Sequence, residues 1–228
     1  MEPGNTRRQW LGMAMAGGVT ASAGLARSSI GPLETDDPDM SPHEVLNALY
    51  AGNRRFAAGE TTAPHRDIQR LREVAPKQTP FAAFLGCADS RVPIEIIFDQ
   101  GFGDVFVSRI AGNVACTENI ASLEFAAEVL GARVIYVLGH TSCGAVAAAA
   151  KATPVPGQIS ALFQLIRPAV RMAHGDPVAA IRENVRLQAQ TLMEASTVIA
   201  SRVARGHVLV AGGIFDLMNG RVEPVDLG

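Results

Sequence analysis

Aromatic residues are scarce in this chain: 5 % of 228 residues, with a single Trp. That scarcity, set against abundant Ala and 22 Gly, points away from an all-β sandwich and towards close-packed helices and tight turns. Cysteine is scarcer still. Three is an odd number and too few for a disulfide framework, so any account of them begins with metal binding or reactivity. An excess of one charge is also missing. Lys and Arg total 20 against 22 Asp and Glu, a net charge of −2, and no basic nucleic-acid footprint is visible. No long hydrophobic run is present: the mild stretch Leu11 to Ala26 has 16 residues and is broken by glycines, too short for a membrane span. What remains is 48 % apolar and 18 % charged, which excludes a disordered or collagen-like chain. The length allows one domain, or at most two small ones, with a full core and no need of disulfide staples.

The first segment reads as an address. Thr6-Arg7-Arg8-Gln9-Trp10-Leu11 precedes the mild apolar run, and small residues follow at Ala21-Ser22-Ala23 and Gly24-Leu25-Ala26. Charge, then an apolar middle, then small residues is the layout of a secretory signal, and the paired arginines resemble a twin-arginine export signal. Residues 1–26 are therefore expected to be an export signal, 27–40 a polar linker and 41–228 the folded domain, located in the periplasm with no stable membrane span after cleavage.

Within that domain, Ser41-Pro42-His43-Glu44 marks a helix start by cap, proline and first-turn carboxylate. Val45, Leu46, Leu49, Tyr50 and Phe56 continue a helical stripe, and a short second helix is expected over Asp67 to Val74. Continuous apolar runs at Phe81 to Cys87, Val105 to Ile110, Arg133 to Gly139 and His207 to Gly212 read as strands covered on both faces. Helical patterns occupy Glu118 to Leu130, Gly144 to Lys151, Ile159 to Ala173 and Pro177 to Arg205. The alternation predicts an α/β fold with a mainly parallel central sheet flanked by helices. Asn219-Gly220 predicts a tight hairpin turn at a sheet edge.

Chemistry concentrates at two strand ends. Cys87-Ala88-Asp89-Ser90-Arg91 follows the first strand, and His140-Thr141-Ser142-Cys143-Gly144 follows the third. Open α/β sheets bind ligands outside the carboxyl ends of their strands, so the two motifs are expected to converge. His-x-x-Cys plus one further Cys is a three-donor set that suits zinc and leaves a fourth position open, as in catalytic sites. A lone Cys or His at a strand end is more often a buried core residue, and Asp89 with Arg91 alone would read as a salt bridge. Complementary ligands at two independent strand ends outweigh those readings.

The pair Cys87-x-Asp89-Ser90-Arg91 and His140-x-x-Cys143, with Gly52-Asn53-Arg54-Arg55-Phe56 upstream, resembles the β-class carbonic anhydrases over roughly Pro42 to Val225. The resemblance implies that Zn²⁺ is held by Cys87, His140 and Cys143, that Asp89 and Arg91 form the catalytic dyad, and that the reaction is reversible hydration of CO2 to bicarbonate and a proton by water activated on zinc. It implies a homodimer or homotetramer in which the N-terminal helices pack on a partner subunit. Gln78 matches a substrate-binding glutamine reaching in from that partner. Phe106 matches a phenylalanine of the substrate pocket, and Phe125 stands where some members carry a tyrosine. Members that are shut off by bicarbonate carry a tryptophan and a tyrosine where this chain has Phe84 and Phe215, so the form with Asp89 off the metal is expected. Gly144 is expected to let the backbone approach the substrate closely, its N–H capping an oxyanion, with Ala111 nearby. Cys116 has no motif partner and reads as an ordinary thiol. Two other readings stand beside this one: action on a CO2 analogue such as CS2 or COS on the same scaffold, and a non-catalytic zinc-binding module.

Overall fold

The computed structural model describes residues 40–151 and 153–228. The expected export signal and all but the last residue of the expected linker lie outside the described residues. Among the described residues no helix is long and apolar enough to cross a membrane.

The chain runs α1 (Pro42–Ala58), α2 (Ile68–Val74), β1 (Ala82–Gly86), α3 (Ile94–Ile97), β2 (Val105–Arg109), α4 (Thr117–Glu128) and β3 (Val134–His140). It continues with α5 (Gly144–Lys151), α6 (Ile159–Met172), α7 (Pro177–Ala195), α8 (Thr197–Ala204), β4 (Leu209–Phe215) and β5 (Val222–Pro224). The sheet order is β2-β1-β3-β4-β5, parallel except for the antiparallel edge strand β5. Every residue of β1 and β3 is buried, as continuous apolar runs demand when both faces are covered. Ala83, Leu85, Ile135 and Val137 meet Leu123 of α4, Phe163 and Ile166 of α6 and Val185 of α7 on one face. Phe84, Tyr136 and Leu138 meet Val45 and Leu49 of α1 and Ile94 and Ile97 of α3 on the other. Each such side chain, fully buried, stabilises the fold by about 1.5–3 kcal/mol before entropy is counted.

α1 starts where the sequence places it. Ser41 accepts from the Glu44 N–H while the Glu44 carboxylate accepts from the Ser41 N–H, a complete capping box. Its far end is bolted by polar residues. The buried Asn53 donates to the carbonyls of Ile97 and Gly220 and accepts from the Val222 N–H. Arg55 Nε donates to the fully buried Asp99 at 2.7 Å, and Asp99 also accepts from the N–H groups of Thr62 and Ala63. Burial works against the Asp99 carboxylate, but these donors outweigh it and hold its pKa below the ordinary value of 3.8. Its contribution is therefore complete above that ordinary value and is lost as pH falls through the lowered one. Asp99→Asn should cost about 3 kcal/mol in urea unfolding at neutral pH, because the charge opposite Arg55 is lost and one of the two accepting oxygens becomes an NH2 group that faces other donors. The gap from wild type should narrow below pH 4; an equal gap at both pH values would rule out the carboxylate as the cause.

Three features depart from the sequence reading. The helix expected over Pro177 to Arg205 breaks at Ser196. This residue is extended (φ −113°, ψ 106°), its Oγ accepts from the Ile199 N–H to cap α8, and its hydroxyl donates to Glu124. β4 begins later and runs to Phe215, because its pairing with β3 continues to His140. The hairpin at the edge is longer than a two-residue turn: Asp216 to Arg221 connect β4 and β5, with Gly220 at φ +72°. α3, a single turn, is too short to show a period.

Candidate metal centre and carboxylate

Cys87 follows β1, His140 ends β3 and Cys143 precedes α5, so two neighbouring parallel strands deliver all three donors to the carboxyl end of the sheet. One ligand atom from each lies within 4.8 Å of the others, and all three residues are buried. The turn that returns Cys143 towards His140 places Ser142 at φ +56°, an uncommon conformation for a residue with a side chain.

The donor set fits a soft or borderline cation. His140 Nδ1 lies 2.9 Å from the Thr141 carbonyl, which can only accept, so Nδ1 carries the proton. Nε2 then keeps its lone pair, is buried, and has no hydrogen-bond partner. A histidine oriented through one nitrogen by a backbone carbonyl with the other bare is the arrangement of a metal ligand. The two thiols share a hydrogen bond. Hydrogen bonding from Cys143 holds the Cys87 thiol well below its usual value, and the Gly112 N–H, 3.3 Å from Sγ, helps. Cys143 is pushed up by its hydrogen bond to Cys87, by burial, and by the negative charge it would add beside the first. A cation held by Cys87, His140 and Cys143 would take the place of the proton between the two sulfurs.

Asp89 sits beside the cluster, with Oδ2 3.8 Å from His140 Nε2. Arg91 grips it by a two-pronged pair, Nε to Oδ1 at 2.9 Å and an Nη2 to Oδ2 at 2.8 Å, and the Arg91 N–H adds a third bond. That pairing holds the carboxyl well below the usual carboxylate range. Arg109 was not singled out by the sequence reading. Its side chain donates to the carbonyls of Cys87 (2.9 Å) and Asp89 (2.6 Å), clamping the whole motif. A charged residue ending an apolar strand at the ligand-binding edge of the sheet was the available signal. Asn184 and Gln188 were also passed over. They are buried polar residues, one helical turn apart, within the apolar face of α7.

Of the other expected site residues, only Gly144, which follows Cys143, adjoins the cluster in sequence. Gln78 is exposed in the loop before β1, at the opposite end of that strand from Cys87. Phe106 lies on edge strand β2 at the register of Ala83 in β1, well short of Cys87 at the end of that strand. It is packed partly against the core. Phe125 is on α4 and 46 % exposed. Gly144 opens α5, but a Cβ there would meet nothing within 4 Å, so close packing does not require glycine. Phe84 packs against Phe98 and Tyr136, and Phe215 against Phe56, all in the apolar layer beneath α1. Cys116 donates to the Asn119 side chain.

Two thiols and an imidazole at the carboxyl end of the sheet, beside an ion-paired carboxylate, form the donor set of a mononuclear metalloenzyme site. Residues 82–222 match the carbonic anhydrase family model. Carbonic anhydrase 2 of Mycobacterium tuberculosis is 38 % identical over 192 residues, spanning 81 % of this chain and 93 % of that one. The β-carbonic anhydrase of the fungal pathogen Aspergillus fumigatus superimposes with a TM-score of 0.65 at 26 % identity, over 81 % of this chain and 92 % of that one. A tetrameric β-carbonic anhydrase from Sordaria macrospora shares the fold, with a TM-score of 0.63 at 24 % identity over 80 % and 95 % of the two chains. The chain belongs to the β-class carbonic anhydrase family.

Proposed function

We propose that this chain catalyses the reversible hydration of CO2 to bicarbonate and a proton, with zinc held by Cys87, His140 and Cys143. The observation that carries the reading is the buried, unpartnered Nε2 of His140 facing two thiols beside an ion-paired carboxylate. Zinc, when bound, lowers the pKa of water into the neutral range and polarises oxygen. Two thiolates and one neutral imidazole cancel its charge, so the surrounding residues must do more than in a three-histidine site. Asp89, an acceptor while ionised, takes a hydrogen bond from the attacking water and orients it towards carbon. Arg91 keeps Asp89 ionised and engages both of its oxygens, holding it beside the three donors. A lysine at 91 would supply a point charge without the fork.

Stopped-flow CO2 hydration by the zinc-loaded protein, scanned from mildly acidic to alkaline pH, tests the proposal. Turnover already high near neutrality is the expected result. Turnover confined to alkaline pH would mean that Asp89 leaves Arg91 to block the site. No turnover at any pH with stoichiometric zinc would overturn CO2 hydration and direct attention to CS2 or COS.

Self-association belongs to the same proposal. β2 is an edge strand with no buried side chain, and Ile96, Phe102, Phe125 and Val129 are large and exposed. A second copy across this edge would cover them and bring a partner's Gln78 and apolar rings towards the cluster, as a dimer or tetramer. Periplasmic location is proposed from Arg7-Arg8 and the apolar run that follows. Replacing both arginines by lysine should retain the protein in the cytoplasm on fractionation; unchanged export would remove the twin-arginine route.

A further inference from the structure

Between β2 and α4 the chain passes through Ile110 to Cys116 without regular structure, and this loop carries the N–H that points at Cys87 Sγ. Its conformation is demanding. Gly112 (φ +79°) and Asn113 (φ +44°) are consecutive left-handed residues, a combination that persists only where the surroundings impose it. A side chain at Gly112 would be strained at this φ, and its Cβ, 2.6 Å from Ile166 Cδ1 and 3.3 Å from the Ala145 Cβ, would have to push Ile166 aside.

The surroundings are two amides on α7. Asn184 Nδ2 donates to the Gly112 carbonyl at 2.8 Å, and Gln188 Oε1 accepts from the Ala115 N–H at 2.8 Å. Gln188 Nε2 donates in turn to Asn184 Oδ1 (3.0 Å) and to the Leu165 carbonyl (3.1 Å). Both side chains are 1 % exposed. They interrupt an otherwise apolar face formed by Ala180, Ile181, Val185, Ala189 and Leu192. Packing alone would favour apolar residues at 184 and 188, since buried amides are tolerated only when their hydrogen bonds are met. α7 comes this close because Gly139 and Gly212 lack side chains: a Cβ on either would lie 2.7 Å from Val185.

We infer that Asn184 and Gln188 are positioning residues for the metal centre. They hold the loop on the far side of Gly112, through the Gly112 carbonyl and the Ala115 N–H, so that the Gly112 N–H donates to the Cys87 sulfur, and thereby set how tightly and with what electron donation that sulfur serves as a ligand. Outer-shell partners of this kind commonly change metal affinity by about 10–100-fold. The inference rests on the reading that Cys87, His140 and Cys143 bind the metal.

The test uses the full chain with cobalt(II) in place of zinc. Thiolate-to-cobalt charge-transfer absorption in the near ultraviolet reports electron density on sulfur. An N–H donor stabilises the sulfur lone pairs, so its loss moves the band to longer wavelength. Asn184→Leu should shift the band that way and weaken zinc, measured by chelator competition, about 10-fold. Gln188→Leu should do the same to a smaller extent, and it carries the test if the first variant does not fold. Ser196→Ala, which removes a buried hydroxyl that caps α8, should lower stability without moving the band. An unmoved band with unchanged zinc affinity in the folded position-184 or position-188 variant overturns the inference. An equal shift in Ser196→Ala also overturns it, by showing general loosening. A wild-type protein that takes up cobalt without thiolate absorption would overturn the metal-site reading and this inference together.

Discussion

Asp89→Asn is expected to lower kcat/KM for CO2 hydration by about 10²–10⁴-fold while zinc remains stoichiometric. The substitution keeps size and shape. It removes the charge that Arg91 grips through two bonds and presents an N–H₂ group to an arginine that can only donate. The oxygen of an amide also accepts more weakly than a carboxylate. Metal retention should be unaffected, because Cys87, His140 and Cys143 form the donor cluster without it. Stopped-flow rates paired with metal analysis decide the matter: wild-type turnover in a zinc-replete Asp89→Asn protein would remove Asp89 from the reaction. Arg91→Lys should fall between the two, since one ammonium cannot replace the fork.

Gly52→Ala is expected to have the largest effect on stability of any single methyl addition in the N-terminal helix. Alanine in a helix interior is ordinarily favourable over glycine by about 1 kcal/mol. Here a Cβ would run into the Phe98 carbonyl, backbone that is held by α3. Backbone cannot swing aside as a long side chain would, so α1 must lift from the sheet and loosen the Asn53 and Arg55 bolts. The clash wins, at a net cost of about 3 kcal/mol. For a domain of this size that corresponds to a fall in Tm of about 10 °C by calorimetry. A Tm equal to or above wild type would show that α1 is not seated on Phe98.

This also changes how the Gly52-Asn53-Arg54-Arg55-Phe56 segment is understood. In the sequence it served as part of a family resemblance. In three dimensions its glycine permits contact with α3, its asparagine ties α1 to Ile97 and Gly220, and Arg55 neutralises buried Asp99. It is a fastening of the fold, remote in role from the chemistry of Cys87 and His140.

Much of the architecture was legible in the chain because parallel strands buried on both faces must be apolar throughout, and helices between them must be amphipathic. β1 and β3 follow from that rule almost to the residue. The donor cluster was legible too, since strand ends at one edge of a parallel sheet are neighbours whatever the details of packing. The capping box at Ser41 is wholly local, and local sequence is sufficient for it.

Other features depend on groups far apart in the chain. Ser196 breaks a continuous helical pattern partly because Glu124, on another helix, takes its hydroxyl proton. Arg109 clamps the Cys87 and Asp89 carbonyls across the β1–β2 pair, and Asn184 and Gln188 reach a loop some seventy residues earlier. Their residue types are common and their spacing is unremarkable; only the partner identifies the role. The sequence by itself determined a parallel α/β sheet, its zinc-type donors and the carboxylate beside them, because periodicity and strand-end placement are properties of short segments. Tertiary structure alone decided which nitrogen of His140 is bare, how Asp89 is held, and where Gln78, Phe106 and Phe125 stand. Hydrogen-bond direction and distance across elements are set by packing, which no single segment encodes.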